Sequence, residues 1–292
     1  MQSNPRIPYR LPSERPKLAP PDGKPLIVHV VVNIEHWQFD QTIPRLLMTP
    51  PQGRGQVPDV PNFSWGEYGN RCGMPRLIKL LSERGLPVTA SINAGVIDVY
   101  PSLAQAVLDA GWEFMGHGIH QRAVGGEGQE AEQIQLALDK IAGFTGAPPR
   151  GWLGPGLAET FDTPDLLKAA GIEYLCEWVV DDLPCRLDTL HGPMVAVPYS
   201  LDLNDSVVYA VEKHSSPEML QRVRDTVATF EAEIAEAGEP RVLTLPLHPH
   251  LSGVPHRIGY LARILDLLQA RDDTIFMAGA GILEWYLAAS EA

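Results

Sequence analysis

The sequence predicts an α/β fold, a distorted (β/α) barrel of seven or eight units forming a single domain with long loops. Three observations predict it. Strand-like and helix-like segments alternate along almost the whole chain, which means right-handed crossovers between parallel strands. The first strand-like run, Leu26–Val32, is apolar and β-branched apart from His29, as expected of a strand buried on both faces. The helix-like segments tend to close on a glycine, among them Gly85, Gly111, Gly171 and Gly238. At 292 residues and 45% hydrophobic content, the chain can build one such barrel with a full core.

Each element follows from its local pattern. Residues 1–24 lack periodicity and are rich in proline, so they read as an extended arm ahead of a barrel domain over 25–292. After the first strand, a Pro/Gly-rich stretch from about His36 to Gly73 reads as a long loop. Met74–Arg84 places Leu77, Ile78 and Leu81 on one helical face. Strands are expected at Val88–Ile92, Glu113–Met115, Trp152–Leu153, Ile172–Cys176, Val195–Val197, Val242–Leu247 and Thr274–Met277. The helices between and after them are expected at Ser102–Ala110, Gln129–Ile141, Pro164–Ala170, Pro217–Ala237, Ile258–Ala270 and Ile282–Ala288.

Composition excludes several classes. With 36 acidic against 23 basic residues the net charge is −13, which argues against nucleic acid and anionic membranes as partners. No run of 18 apolar residues suggests a membrane span, and no apolar leader is visible at the N-terminus. Cys72, Cys176 and Cys185 are too few and too scattered for a disulfide framework, and they read as reduced thiols of a cytoplasmic protein. No Gly-x-Gly-x-x-Gly follows the first strand, and Gly-x-x-x-x-Gly-Lys and Gly-x-Ser-x-Gly are absent, so nucleotide folds and the serine-hydrolase elbow lose support.

In parallel α/β folds, reactive side chains lie just past the C-terminal ends of strands. Here those positions hold Asn33, Glu35 and His36, then Asn93, then His117 with His120 and Gln121. Further along come Trp152, then Glu177, Asp181 and Asp182, then Tyr199 and Asn204, and last His248 with His250. Carboxylates, imidazoles and a tryptophan thus converge on one face, which points to an enzyme. Trp152 reads either as a wall of the site or as core, and Cys72 as a buried inert thiol. His-x-x-His at 117 and 120 is a weak metal signal.

These residues carry a resemblance. Asn33-x-Glu35, Glu67-Tyr-Gly-Asn-Arg-Cys-Gly73, Gly116-His-Gly118, Pro149-Arg-Gly-Trp152, Asp181-Asp-Leu-Pro184 and Leu247-His-Pro249 occur in this order. The set resembles the polysaccharide deacetylase superfamily. It is most similar to its ring-amide branch, the cofactor-independent allantoinases and cyclic imide hydrolases. The resemblance implies a barrel of the NodB-like type and hydrolysis of a C–N amide bond. Sugar deacetylases of the superfamily usually begin with two aspartates, where this chain has Asn33 and Glu35. Their second motif has two histidines four residues apart, where this chain has His117 and Gln121.

The resemblance therefore implies a small cyclic imide or ureide as substrate. Glu35 would be the base, His248 the proton donor to the leaving nitrogen, and Asn33, His117 or backbone amides the carbonyl-oxygen donors. Trp152 would stack on the flat ring. Arg71, Asn204 and Asp182 would hold its polar edge. No cofactor is required in this reading. In an alternative, Glu35, His117 and Gln121 hold one divalent zinc ion for N-deacetylation of amino sugars, and in another the protein binds carbohydrate without catalysis. A homo-oligomer, tetramer or dimer, is expected.

Overall fold

The computed structural model describes residues 3–46, 56–123 and 129–291. Its centre is β1 (Leu26–Ile34), buried at every position. The other strands are β2 (Thr89–Ile92), β3 (Glu113–Gly116), β4 (Gly151–Trp152), β5 (Tyr174–Leu175), β6 (Cys185–Leu187), β7 (Met194–Ala196), β8 (Arg241–Leu247) and β9 (Thr274–Phe276). They form one curled sheet in the order β6-β7-β5-β4-β3-β2-β1-β8, with β9 also on β1. β8 pairs with β1 over Leu26–Val32, while the opposite edge of β1 is shared by β9 below and β2 above. Only β6 runs antiparallel.

The two ends of the sheet approach each other without a full ladder. Thr244 Oγ1 on β8 donates to the Pro198 carbonyl at 2.6 Å, and Val242 N donates to the Asp182 carbonyl at 2.9 Å. The result is the distorted, nearly closed barrel that the alternation of elements predicts. Helices α1 (Val60–Tyr68), α2 (Met74–Ser82), α3 (Gly95–Val99), α4 (Pro101–Asp109), α5 (Glu130–Thr145), α6 (Thr163–Ala169), α7 (Glu218–Ala237), α8 (Pro255–Gln269) and α9 (Gly279–Glu291) connect the strands and follow the last one. The long helices bury one stripe each. Met219, Leu220, Val223, Val227 and Phe230 of α7 are such a stripe, at the i, i+4, i+7 spacing of an amphipathic helix.

Two expectations need correction. The stretch 36–73 is not wholly a loop (residues 47–55 lie outside the described residues). Asp59 caps α1, its Oδ1 accepting from Asn62 N at 3.2 Å, and Pro61 follows in the first turn. The helix then runs through one wide π turn, Gly69–Gly73, into α2. The glycines make this path possible, since a Cβ on Gly69 would lie 2.7 Å from that of His250 and one on Gly73 would strike Pro249. The second correction is β6, an unpredicted edge strand with only Leu187 buried. Residues 3–24 run along the body. Arg6 forks onto Asp165 at 3.1 and 2.7 Å, Arg15 meets Asp181 at 2.5 Å, and Ile7 and Leu18 are buried.

Candidate active site

The strands point their C-terminal ends at a cavity of about 100 Å³, lined by Asn33, Glu35, His117, Gln121, Tyr199, Asn204 and His248 among others. It adjoins an outer chamber of about 550 Å³ that shares Glu35, Arg45, Gln121 and Gly156 with it. Glu35, His117 and His248, far apart in the chain, therefore meet in one void.

The charged groups form a relay. His248 is buried, and its Nδ1 lies 2.6 Å from Asp205 Oδ1 while its Nε2 lies 3.5 Å from Glu35 Oε1. Asp205 is fully buried and also accepts from His248 N at 2.7 Å and from Ser252 Oγ at 2.6 Å. Burial alone would hold His248 neutral, but Asp205 and Glu35 on its two sides push it up to about 9. Burial likewise opposes the Glu35 carboxylate, but the His248 imidazolium beside it brings the group down to about 2. Trp37 Nε1 donates to the other Glu35 oxygen at 2.7 Å. Near neutral pH the site thus holds a carboxylate and an imidazolium side by side.

His117 differs. Its Nδ1 donates to the Leu153 carbonyl at 2.5 Å, and burial keeps the ring neutral, so Nε2 bears a lone pair. That Nε2 is buried, with Gln121 as its side-chain neighbour and no partner within 3.5 Å among the described residues. Asn33 Nδ2 donates to Tyr199 Oη at 2.9 Å and to the Leu247 carbonyl at 3.2 Å. The Tyr199 hydroxyl proton has no acceptor among the described residues, so it remains available to the cavity. Behind Gly154 in the wall, burial and then Glu159 push the Glu177 carboxyl up to about 8.

The Glu67–Gly73 motif supports this arrangement from outside. Its glycines seat the helix on the loop of His250, and Asn70 Nδ2 donates to the Glu35 carbonyl at 3.0 Å. His36 and His120 face each other through Nδ1 atoms 2.9 Å apart, and neither lines the cavity.

Three expected substrate contacts are corrected. Trp152 is fully buried beneath Gly116, where an added Cβ would meet its ring at 2.6 Å, so it packs the core and stacks on nothing in the cavity. Arg71 has a side chain 75% exposed and pairs with Glu67 four residues before it, outside the cavity. Asp182 meets β8 at Val242, whereas the cavity lies past Leu247 at the other end of that strand, roughly 15 Å away. Asn204 does line the cavity, and its Oδ1 accepts from Ser206 N at 2.9 Å.

Glu35, His117 and Gln121, the residues expected as metal ligands, all line the cavity. Trp37 already donates to one Glu35 oxygen, and the Gln121 amide is a weak donor for zinc. Among the described residues, no group of three His, Cys, Asp or Glu side chains could hold an ion.

Sequence reasoning missed Asp205 and Ser252, and it named Tyr199 without a role. Arg45, at the junction of the two cavities, sits in the stretch read as a featureless loop.

Known proteins share this frame. The family model described as polysaccharide deacetylase matches residues 63–175. A Schizosaccharomyces pombe protein bearing a polysaccharide deacetylase name is 26% identical over 232 residues, 70% of each chain. The Helicobacter pylori peptidoglycan deacetylase is 25% identical over 146 residues, 49% of this chain and 50% of that protein. The crystal structure of PuuE allantoinase superposes with a TM-score of 0.82 over 96% of both chains at 24% identity, a likeness of fold. No described helix is long and apolar enough to cross a membrane.

Proposed function

We propose that this protein is a hydrolase that opens the C–N bond of a small cyclic amide, an imide or ureide, by general acid–base catalysis. The observation that carries the reading is the Glu35 carboxylate 3.5 Å from the His248 imidazolium at one small cavity. A void of about 100 Å³ suits a small planar ring better than a polymer chain. The shared fold with PuuE allantoinase supports the same substrate class.

Glu35 takes a proton from water as its oxygen attacks the ring carbonyl. Tyr199 donates to the oxygen that becomes negative, its hydroxyl oriented by the bond it accepts from Asn33. The tetrahedral adduct collapses, the ring C–N bond breaks, and His248 Nε2 delivers its proton to the departing nitrogen. Glu35 then returns the proton it took to His248, so one water is consumed and the pair is reset. Asp205 keeps His248 protonated between turnovers.

The test is a ring-opening assay on succinimide, hydantoin, dihydrouracil and allantoin. Wild type is expected to open at least one, with Glu35→Gln and His248→Ala each slower by about 10²-fold or more. Dialysis against a strong chelator is expected to leave the rate unchanged. Wild-type rates in both variants overturn the assignment. The curated relatives' names favour a second reading, N-deacetylation of amino sugars by the same pair. Acetate release from N-acetylglucosamine oligomers without ring opening selects it.

A further inference from the structure

The outer chamber has a charge opposite to that of the molecule. The chain carries a net −13, yet the only carboxylate among the described residues lining either cavity is Glu35, already paired with His248. Two arginines line the chamber instead. Arg122 Nη2 reaches only the neutral Gln41 amide, at 3.3 Å. Arg45 lines both the inner cavity and the outer chamber, is partly buried, and forms no hydrogen bond or ion pair with a described residue. His250 closes the chamber floor with a buried Nε2 that has no partner.

A partly buried guanidinium without a partner is costly in the free protein, and a planar carboxylate satisfies it through two parallel hydrogen bonds. A substrate whose ring lies against Glu35 and His248 must send any substituent past Arg45. We propose that the ring amide opened here bears a carboxylate, which the outer chamber binds through Arg45 and Arg122. This rests on the ring-opening reading and narrows its substrate class. A neutral imide would leave Arg45 without an anion among the described residues and Arg122 on Gln41 alone, whereas the carboxylate of an anionic ring meets both. Arg45 is then a specificity residue.

The experiment compares matched rings, dihydrouracil with its 6-carboxylate and hydantoin with hydantoin-5-acetate. Binding is measured by calorimetry in the Glu35→Gln variant, in which turnover is slowed by about 10²-fold or more. The carboxylate is expected to tighten binding by about tenfold or more in at least one pair. Adding Arg45→Gln is expected to bring that ratio close to one. Arg45→Lys is expected to retain part of the preference, and Arg122→Gln to weaken it less than Arg45→Gln. Equal binding within each pair, no binding of either carboxylate at millimolar concentration, or a preference that survives Arg45→Gln overturns the proposal. Wild type that opens the neutral rings without preferring the anionic ones sinks this inference and leaves the ring-opening reading standing. A carboxylate preference in a protein that opens no ring does the reverse.

Discussion

The barrel contains two buried clusters built from the same residue types, histidine, carboxylate and tyrosine, with opposite results. At the C-terminal end, His248 sits between Asp205 and Glu35, and Tyr199 stands beside them. Inside the barrel, His29 Nε2 meets Thr89 Oγ1 at 2.9 Å, Thr89 donates to Glu113 at 2.9 Å, and Tyr174 donates to the same carboxyl at 2.8 Å. The backbone N–H groups of Gly279 and Ala280 complete that second network. There, burial drives His29 down to about 3, raises Glu113 and raises Tyr174. The inner cluster is therefore pushed toward neutrality, and the outer one is charged. The difference lies in contact. No carboxylate touches His29 directly, since Thr89 intervenes, whereas His248 touches two. A histidine becomes an acid at neutral pH when carboxylates overcome burial, and an inert hydrogen-bonding group when they do not.

The sharpest way to break the comparison is to make the outer cluster resemble the inner one. Asp205→Asn removes the carboxylate that contributes most to the raised His248 value. In wild type, kcat/KM needs Glu35 ionised and His248 protonated, so it is expected to be level across neutral pH and to fall as pH rises through about 9. In Asp205→Asn the alkaline fall is expected to move down toward neutrality, with activity at pH 8 lower by about 10²-fold. A pH–rate profile whose alkaline limb stays near 9 in the variant sinks the assignment. Next in size is Tyr199→Phe, which removes the proposed oxyanion donor. It is expected to lower kcat by about 10²-fold at most while KM changes little.

The converse change belongs to the inner cluster. Glu113→Gln puts an amide NH₂ where Tyr174, Thr89 and the Ala280 backbone amide all approach as donors. It is expected to cost about 1–3 kcal/mol of stability, read by urea unfolding, with kcat/KM retained. Lost activity at unchanged stability would show that the two clusters are not separate in role.

The sequence made part of the outer cluster legible and hid the rest for a physical reason. Glu35, His117 and His248 each follow an apolar strand of a parallel sheet, and such positions are solvent-facing by topology. Asp205 carries no such mark. It lies well past β7, and its partner is 43 residues further on, so only the three-dimensional fold joins them. Trp152 misleads because β4 ends on it. The residue past the end is Leu153, which does line the cavity, while Trp152 turns to the helix layer. Arg71 misleads differently, because its stretch is a helical turn rather than a loop, and the i, i+4 spacing gives it to Glu67. The barrel itself was readable because buried parallel strands are mostly apolar, whereas the short edge strand β6 is not.

The smallest expected effect tests the same contrast through stability. His248 is raised on folding, so its contribution is complete below about pH 6.5 and is lost as pH rises to about 9. His29 is lowered on folding, so the unfolded chain takes up the proton first and stability is lost as pH falls from 6.5 toward 3. Thermal unfolding across pH 4–10 for wild type, His248→Gln and His29→Gln separates the two. The difference between wild type and His248→Gln should change with pH between 6.5 and 9, with a further change at lower pH because Glu35 loses its imidazolium neighbour, and that for His29→Gln only below 6.5. Using differences removes groups distant from both histidines, whereas Glu177, whose raised carboxyl also sheds stability on the way up to pH 8, would otherwise overlap the His248 window. If the His248→Gln difference stays flat between 6.5 and 9, or the His29→Gln difference bends there, the division of the barrel into a charged site and a neutral core fails.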